Sequence, residues 1–270
     1  MQLGKSNIIK CIYIIHALIL ATALATPAMA NTAENTKNAP YCTVMLGAAA
    51  AAIPEFEGSH KHNIRFVPLF DINIKNRFFL STDKGLGLNI ISTPEWELST
   101  AVNYGVGRKE KASTLLKGMG NISDGAVFAA HGAWTPGPFI LNLDAKYGTG
   151  DIQGLNLTAG LAYVTMPVAG VQWVNEVSTT FADSKYNNTF FGISKKQSQK
   201  SRHNYKYYNA KSGIKDVALK SMLIYGLTEH VIVVLAGEYK QLVGPAADSP
   251  LVKAGAKSQI SGITEIGYIF

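Results

Sequence analysis

The stretch "EWELSTAVNYGVG" (95–107) alternates between two kinds of side chain. Trp96, Leu98, Val102, Tyr104 and Val106 point one way, and Glu97, Ser99, Ala101, Asn103 and Gly105 the other, as successive side chains of a strand must. "FILNLDAKYG" (139–148) sets Phe139, Leu141, Leu143, Ala145 and Tyr147 against Asn142, Asp144, Lys146 and Gly148. "GLNLTAGLAYV" (154–164) sets Leu155, Leu157, Leu161 and Tyr163 against Asn156, Thr158 and Gly160. Alternation this long, with almost no helical periodicity, describes an all-β chain.

Two architectures use such strands. A sandwich buries the apolar face between sheets. A membrane barrel turns that face to lipid and keeps the small and polar face inside. The polar faces here carry charges in mid-strand, Asp144, Lys146, Glu238 and Lys240, which suit a wet lumen and make these four the candidate lumen charges. Trp96 and Tyr104 lie eight residues apart on one face, as do Phe139 and Tyr147. At about 3.3 Å per residue and a tilt near 40°, eight residues rise roughly 20 Å, close to the height between aromatic girdles.

Twelve strands are expected, near 41–52, 62–75, 77–81, 85–92, 95–106, 123–133, 137–148, 154–165, 169–181, 213–227, 230–243 and 257–270. Every second connection is short, around Asn76, Thr93–Pro94, Thr135–Pro136, Pro167 and Thr228–Glu229, while all the long ones (53–61, 107–122, 182–212 and 244–256) fall between them. Short turns at one end and long loops at the other mark an up-and-down transmembrane β-barrel, with both termini expected in the periplasm. The final strand, "ITEIGYIF", places Ile266, Tyr268 and Phe270 on the lipid face, so Phe270 closes the barrel near the periplasmic interface.

The first thirty residues have the three parts of a secretory signal. Lys5 and Lys10 form a basic region, Ile12–Ala25 an apolar stretch and Ala28-Met29-Ala30 a small-x-small cleavage site. The expected division is a cleaved signal peptide at 1–30, a polar stretch at 31–40 and the barrel at 41–270. Removing two lysines and no acid lowers the formal charge from +7 to +5. Only Cys42 would then remain, so an internal disulfide is excluded, and Cys42 reads as a small apolar residue of the first strand.

Several segments carry a family likeness. "TFFGIS" (189–194), "YNAKSGIKD" (208–216), "LIYGLTEHVIVV" (223–234), "EYKQLVGPAADSPLV" (238–252) and the terminal "GYIF" resemble the MltA-interacting protein (MipA/OmpV) family, as do "IPEFEGS" (53–59) and "YGVGR" (104–108). The resemblance implies an outer-membrane barrel. It also implies a scaffold role, linking a peptidoglycan lytic transglycosylase to a peptidoglycan synthase. Phe270, with Tyr268 and Ile266, resembles the C-terminal signal read by the barrel-assembly machinery of Gram-negative bacteria.

No catalytic constellation is expected, and the chain does not read as an enzyme. His131 and His230 lie near turns with no serine at strand-compatible spacing, and His60 and His62, with Ser59 and Glu57, read as a solvated loop. Two histidines fall short of a metal site, and no phosphate-binding glycine motif occurs, so no metal or cofactor is expected. The segment 184–215 holds eight Lys or Arg and no acid. Lys195, Lys196, Lys200, Arg202 and Lys206 are its candidates for contact with lipopolysaccharide phosphates, and a mobile, solvated loop is the equal alternative. Nucleic acid is not an expected partner, because the barrel topology puts this loop outside the cell. Two functions stay open: a scaffold with a filled lumen, and a narrow porin-like channel with a mixed-charge lumen.

Overall fold

The computed structural model describes residues 41–270, so the expected signal peptide and the polar stretch 31–40 lie outside the described residues. Twelve antiparallel strands form one closed ring: β1 (Cys42–Pro54), β2 (His62–Ile74), β3 (Phe78–Ser81), β4 (Gly85–Ser92), β5 (Trp96–Gly105), β6 (Gly125–Trp134), β7 (Phe139–Gly148), β8 (Gly154–Val168), β9 (Val171–Ala182), β10 (Gly213–Gly226), β11 (Val231–Leu242) and β12 (Ser258–Ile269). Each pairs with its sequence neighbours, and β1 closes on β12 through Met45↔Ile269 to Ala52↔Gly262. A closed ring is one of the two ways a backbone can satisfy its hydrogen bonds in hydrocarbon.

The turns follow their chemistry. Lys75 and Asn76 both have positive φ, 53° and 55°, and Arg77 N–H donates to Ile74 O, the geometry of a two-residue turn whose twist matches a hairpin. Pro167 cannot donate to a ladder, and the β8–β9 register shifts between Thr165 and Val168. β3 is the shortest strand and pairs with β2 only over Asp71–Ile74. Pro68 lies beyond that pairing, on an edge of β2 where a residue without N–H is tolerated.

The alternation emerges as outward and inward faces. Trp96, Leu98, Val102 and Tyr104 are exposed outward, as are Phe139, Leu141, Leu143 and Tyr147. Aromatic rings pair on the outer wall near the turn end: Trp96 stacks on Trp134 at 5.6 Å, and Phe139 meets Tyr163 at 5.2 Å. At the last strand His230 stacks on Tyr268, which meets Phe270 edge-on, and Phe270 N–H donates to Val44 O.

One expectation about the inward face is corrected. It is polar only in part: towards the turn end it is apolar and packed. Across neighbouring strands Val164, Val174, Met222, Ala236, Ile263 and Ala51 are partners in one continuous row. Most of that row joins Met45, Ile140, Ile224, Ile232, Val234 and Ile269 in a single buried cluster. Ile140 and Val234 are each only 1 % exposed. Inward residues of a water-filled pore would be wet, and these are not.

Candidate functional site

Above the apolar cluster the same strands become polar. Glu176, Lys220 and Glu238 are direct partners on β9, β10 and β11, so one step towards the loops converts a Val–Met–Ala row into an alternating charge row. The result is a cavity of about 510 Å³ whose walls include Asp144, Lys146, Glu238 and Lys240. All four candidate lumen charges thus line one chamber. Lys240 pairs with Glu238 at 3.2 Å, and Asp144 Oδ1 accepts from His131 Nδ1 at 2.9 Å. The wall charges are of both signs, and Glu238–Lys240 and His131–Asp144 are paired within the chamber.

Register also places Ser99 beside His131, and His131 beside Asp144, on β5, β6 and β7. This is a Ser–His–Asp succession that chain spacing did not reveal. His131 Nε2 has no hydrogen-bond partner among the described residues, so the serine-to-base contact that would activate a nucleophile is missing. The other sequence candidates disperse. His62 opens β2 and its Nε2 lies 2.8 Å from Ile260 O. Ser59 is buried and bonds both N–H and C=O of Lys61, while Glu57 is taken by Lys215. The 57–62 segment is therefore anchored at Glu57 and Ser59, while His60, Lys61 and His62 stay exposed to solvent.

The long connections are folded as well. They contain α1 (Ser184–Phe191), α2 (Lys195–Lys200), α3 (Gly244–Ala247), α4 (Pro250–Ala254) and two short 3-10 turns, Glu110–Ala112 and Thr114–Leu116. Asp183 caps α1 by accepting from Tyr186 N–H, and Ser194 and Gln197 form a reciprocal capping box on α2. Phe56, Leu116, Met119, Ile193, Tyr205 and Leu251, from four different connections, share one buried cluster. Phe191, Leu242, Ala246, Ala247 and Val252 make a second. Together these segments form a lid across the loop end of the barrel.

Polar ties lock the lid. Ser249 Oγ donates to Phe191 O at 2.6 Å, and Tyr208 OH donates to Pro245 O at 2.7 Å. Gly58 N–H donates to Gln259 Oε1, while Gln259 Nε2 donates to Ala256 O. Arg108 reaches Phe190 O from the β5–β6 connection, and burial of its guanidinium pulls the pKa down to about 10. Lys215 is 5 % exposed, sits between Glu57 and Asp216 Oδ2, and lies over the Tyr186 ring. The sequence grouped Lys215 with an exposed basic run; its ammonium instead joins lid to wall.

The basic segment is folded, with Lys195, Lys196, Lys200, Arg202 and Lys206 all exposed on its surface. Lys196, Lys200 and Arg202 converge with Lys117 around a concavity of about 710 Å³, whereas Lys195 and Lys206 lie outside it. Lys117 was missed in the sequence because it lies in a different connection. Gln197 Nε2 to Met119 O, 2.7 Å, and Arg202 N–H to Lys117 O, 3.1 Å, bring the two segments together. Glu110, the one acid there, accepts the N–H groups of Gly118 and Gly120, which hold its carboxyl below the ordinary range.

A closed antiparallel ring with an apolar, aromatic-studded outer wall and a charged interior defines a transmembrane β-barrel. Residues 46–270 match the family model described as MltA-interacting protein MipA; the chain belongs to that family and is an outer-membrane protein. Its fold is similar to the NanC porin, at 9 % identity over 83 % of this chain and 98 % of that chain, with a TM-score of 0.44. It is also similar to the COG4313 outer-membrane channel of Pseudomonas putida F1, at 9 % identity, 86 % and 97 % coverage and a TM-score of 0.42. The translocator domain of the autotransporter NalP from Neisseria meningitidis gives 11 % identity, 86 % and 89 % coverage and a TM-score of 0.41. A comparison with curated proteins gives no match.

Proposed function

We propose that this barrel is a structural and interaction protein of the outer membrane, without an open pore along its axis. The observation that carries this reading is the occupied interior: a buried apolar cluster towards the turn end and a folded lid at the loop end. The family description names an interaction with MltA, which supports a murein transglycosylase as the partner; a peptidoglycan synthase as the second enzyme follows from the family resemblance alone. With the turn end in the periplasm, the docking surface would be the five short turns and residues 31–40. Phe270 would be presented there to the barrel-assembly machinery, so its deletion is expected to lower the yield of assembled barrel.

A pull-down from a mild detergent extract tests the reading. Enrichment of a murein transglycosylase with the folded, heat-modifiable barrel is the expected result. Its absence under conditions that keep the barrel folded refutes the scaffold role. A second reading, a narrow solute channel, draws on the mixed-charge chamber of about 510 Å³. It requires both the lid and the apolar cluster to part.

A further inference from the structure

We propose that the concavity between the β5–β6 connection and α2 binds the phosphate groups of an anionic glycolipid headgroup in the outer leaflet. The site is assembled by tertiary folding from two connections. Lys117 comes from one, and Lys196, Lys200 and Arg202 from the other. The bond from the Gln197 side-chain amide to Met119 O and the main-chain bond from Arg202 N–H to Lys117 O fix their relative positions. Four cations face one carboxylate, and that carboxylate is held by two backbone N–H groups.

None of the four cations takes part in an ion pair among the described residues, whereas Lys215 and Lys240 do. Like charges held together at a surface repel one another and are costly unless an anion shares them. Phosphate esters fit that need: each carries several acceptor oxygens, arginine engages them with two parallel N–H bonds and lysine as a point charge. Lys109 and Lys111 extend the basic surface on the far side of Glu110. The outer leaflet of this membrane supplies phosphorylated lipid where a loop end facing outward would meet it. A free phosphate ion has the same chemistry, and the experiment separates the two.

The test uses the purified barrel and vesicles containing either bisphosphorylated or dephosphorylated lipid A. The wild type is expected to bind the phosphorylated vesicles at least tenfold more tightly, with the preference falling as salt rises. Replacing Lys117, Lys196, Lys200 and Arg202 together by Gln should abolish that preference. Replacing Lys195 and Lys206 by Gln should leave it within twofold, and both variants should keep wild-type heat-modifiability. Equal binding to both vesicles, or a preference retained by the fourfold variant, overturns the proposal. Inorganic phosphate that binds at micromolar concentration with no lipid preference overturns the glycolipid assignment and identifies a free-ion site.

Discussion

The hydroxyl of Ser249 donates a 2.6 Å hydrogen bond to the main-chain carbonyl of Phe191, fifty-eight residues earlier in the chain. It joins "AADSP" to "FFGIS", and both residues are almost fully buried. The remaining N-terminal family segments meet the same structure: Phe56 packs near Leu251, and Arg108 reaches Phe190 O. The "FFGIS" and "AADSP" segments, far apart in sequence, therefore meet in the lid.

Ser249→Ala removes that bond and the hydroxyl that accepts Leu251 N–H at the start of α4. Leaving a buried carbonyl unpaired costs about 1–3 kcal/mol. The expected result is faster amide exchange at 184–193 and 245–254, with exchange in the strands unchanged.

Lys215→Met should act more strongly. It strands Glu57 and Asp216 without their shared cation, and breaking a buried pair costs about 3–5 kcal/mol. Limited proteolysis should then cut the lid while the barrel remains protease-resistant. Adding Glu57→Gln should restore part of the protection, because one of the two uncompensated charges is gone.

Ile224→Ala tests the packed turn end. Ile224 is 2 % exposed and lies within the apolar cluster, so truncation leaves a cavity and costs about 2–5 kcal/mol. Its neighbour Leu223 faces lipid, which can flow into the space vacated, and Leu223→Ala should cost clearly less. Urea unfolding from vesicles reads both; equal losses would show that the interior is not packed.

Acid should loosen the β5–β6 connection selectively. The N–H groups of Gly118 and Gly120 hold the Glu110 carboxyl below its ordinary value of 4.5, so the folded loop takes up its proton less readily than the unfolded chain. That contribution is present above the ordinary value and is lost as pH falls through the lower, folded value. Exchange at Gly118 and Gly120 should rise as pH drops below about 4.5, and Glu110→Gln should remove the dependence at those two amides.

The barrel itself was legible because period-two alternation and loop-length segregation are local properties. All twelve expected segments became strands. The apolar cluster was not legible: in "VIVVLAGEY" (231–239) Ile232 and Val234 point inward while Val231, Val233 and Leu235 point outward, so no polarity contrast marks the faces. The lid helices, four to eight residues long, are too short to leave a helical period. Ser99 beside His131, and Lys117 beside Lys196, are set by register and tertiary packing and leave no trace in chain spacing.

The most direct test of the occupied interior is single-channel recording of the refolded barrel, prepared without residues 1–30, in a planar bilayer, with cationic and anionic selectivity measured in turn. A heat-modifiable barrel that inserts and gives no discrete steps is the result expected. Reproducible ion-selective steps from the wild type would contradict it, and would show that the lid and the Ile140–Ile224–Val234 cluster leave a continuous path past Asp144, Lys146, Glu238 and Lys240.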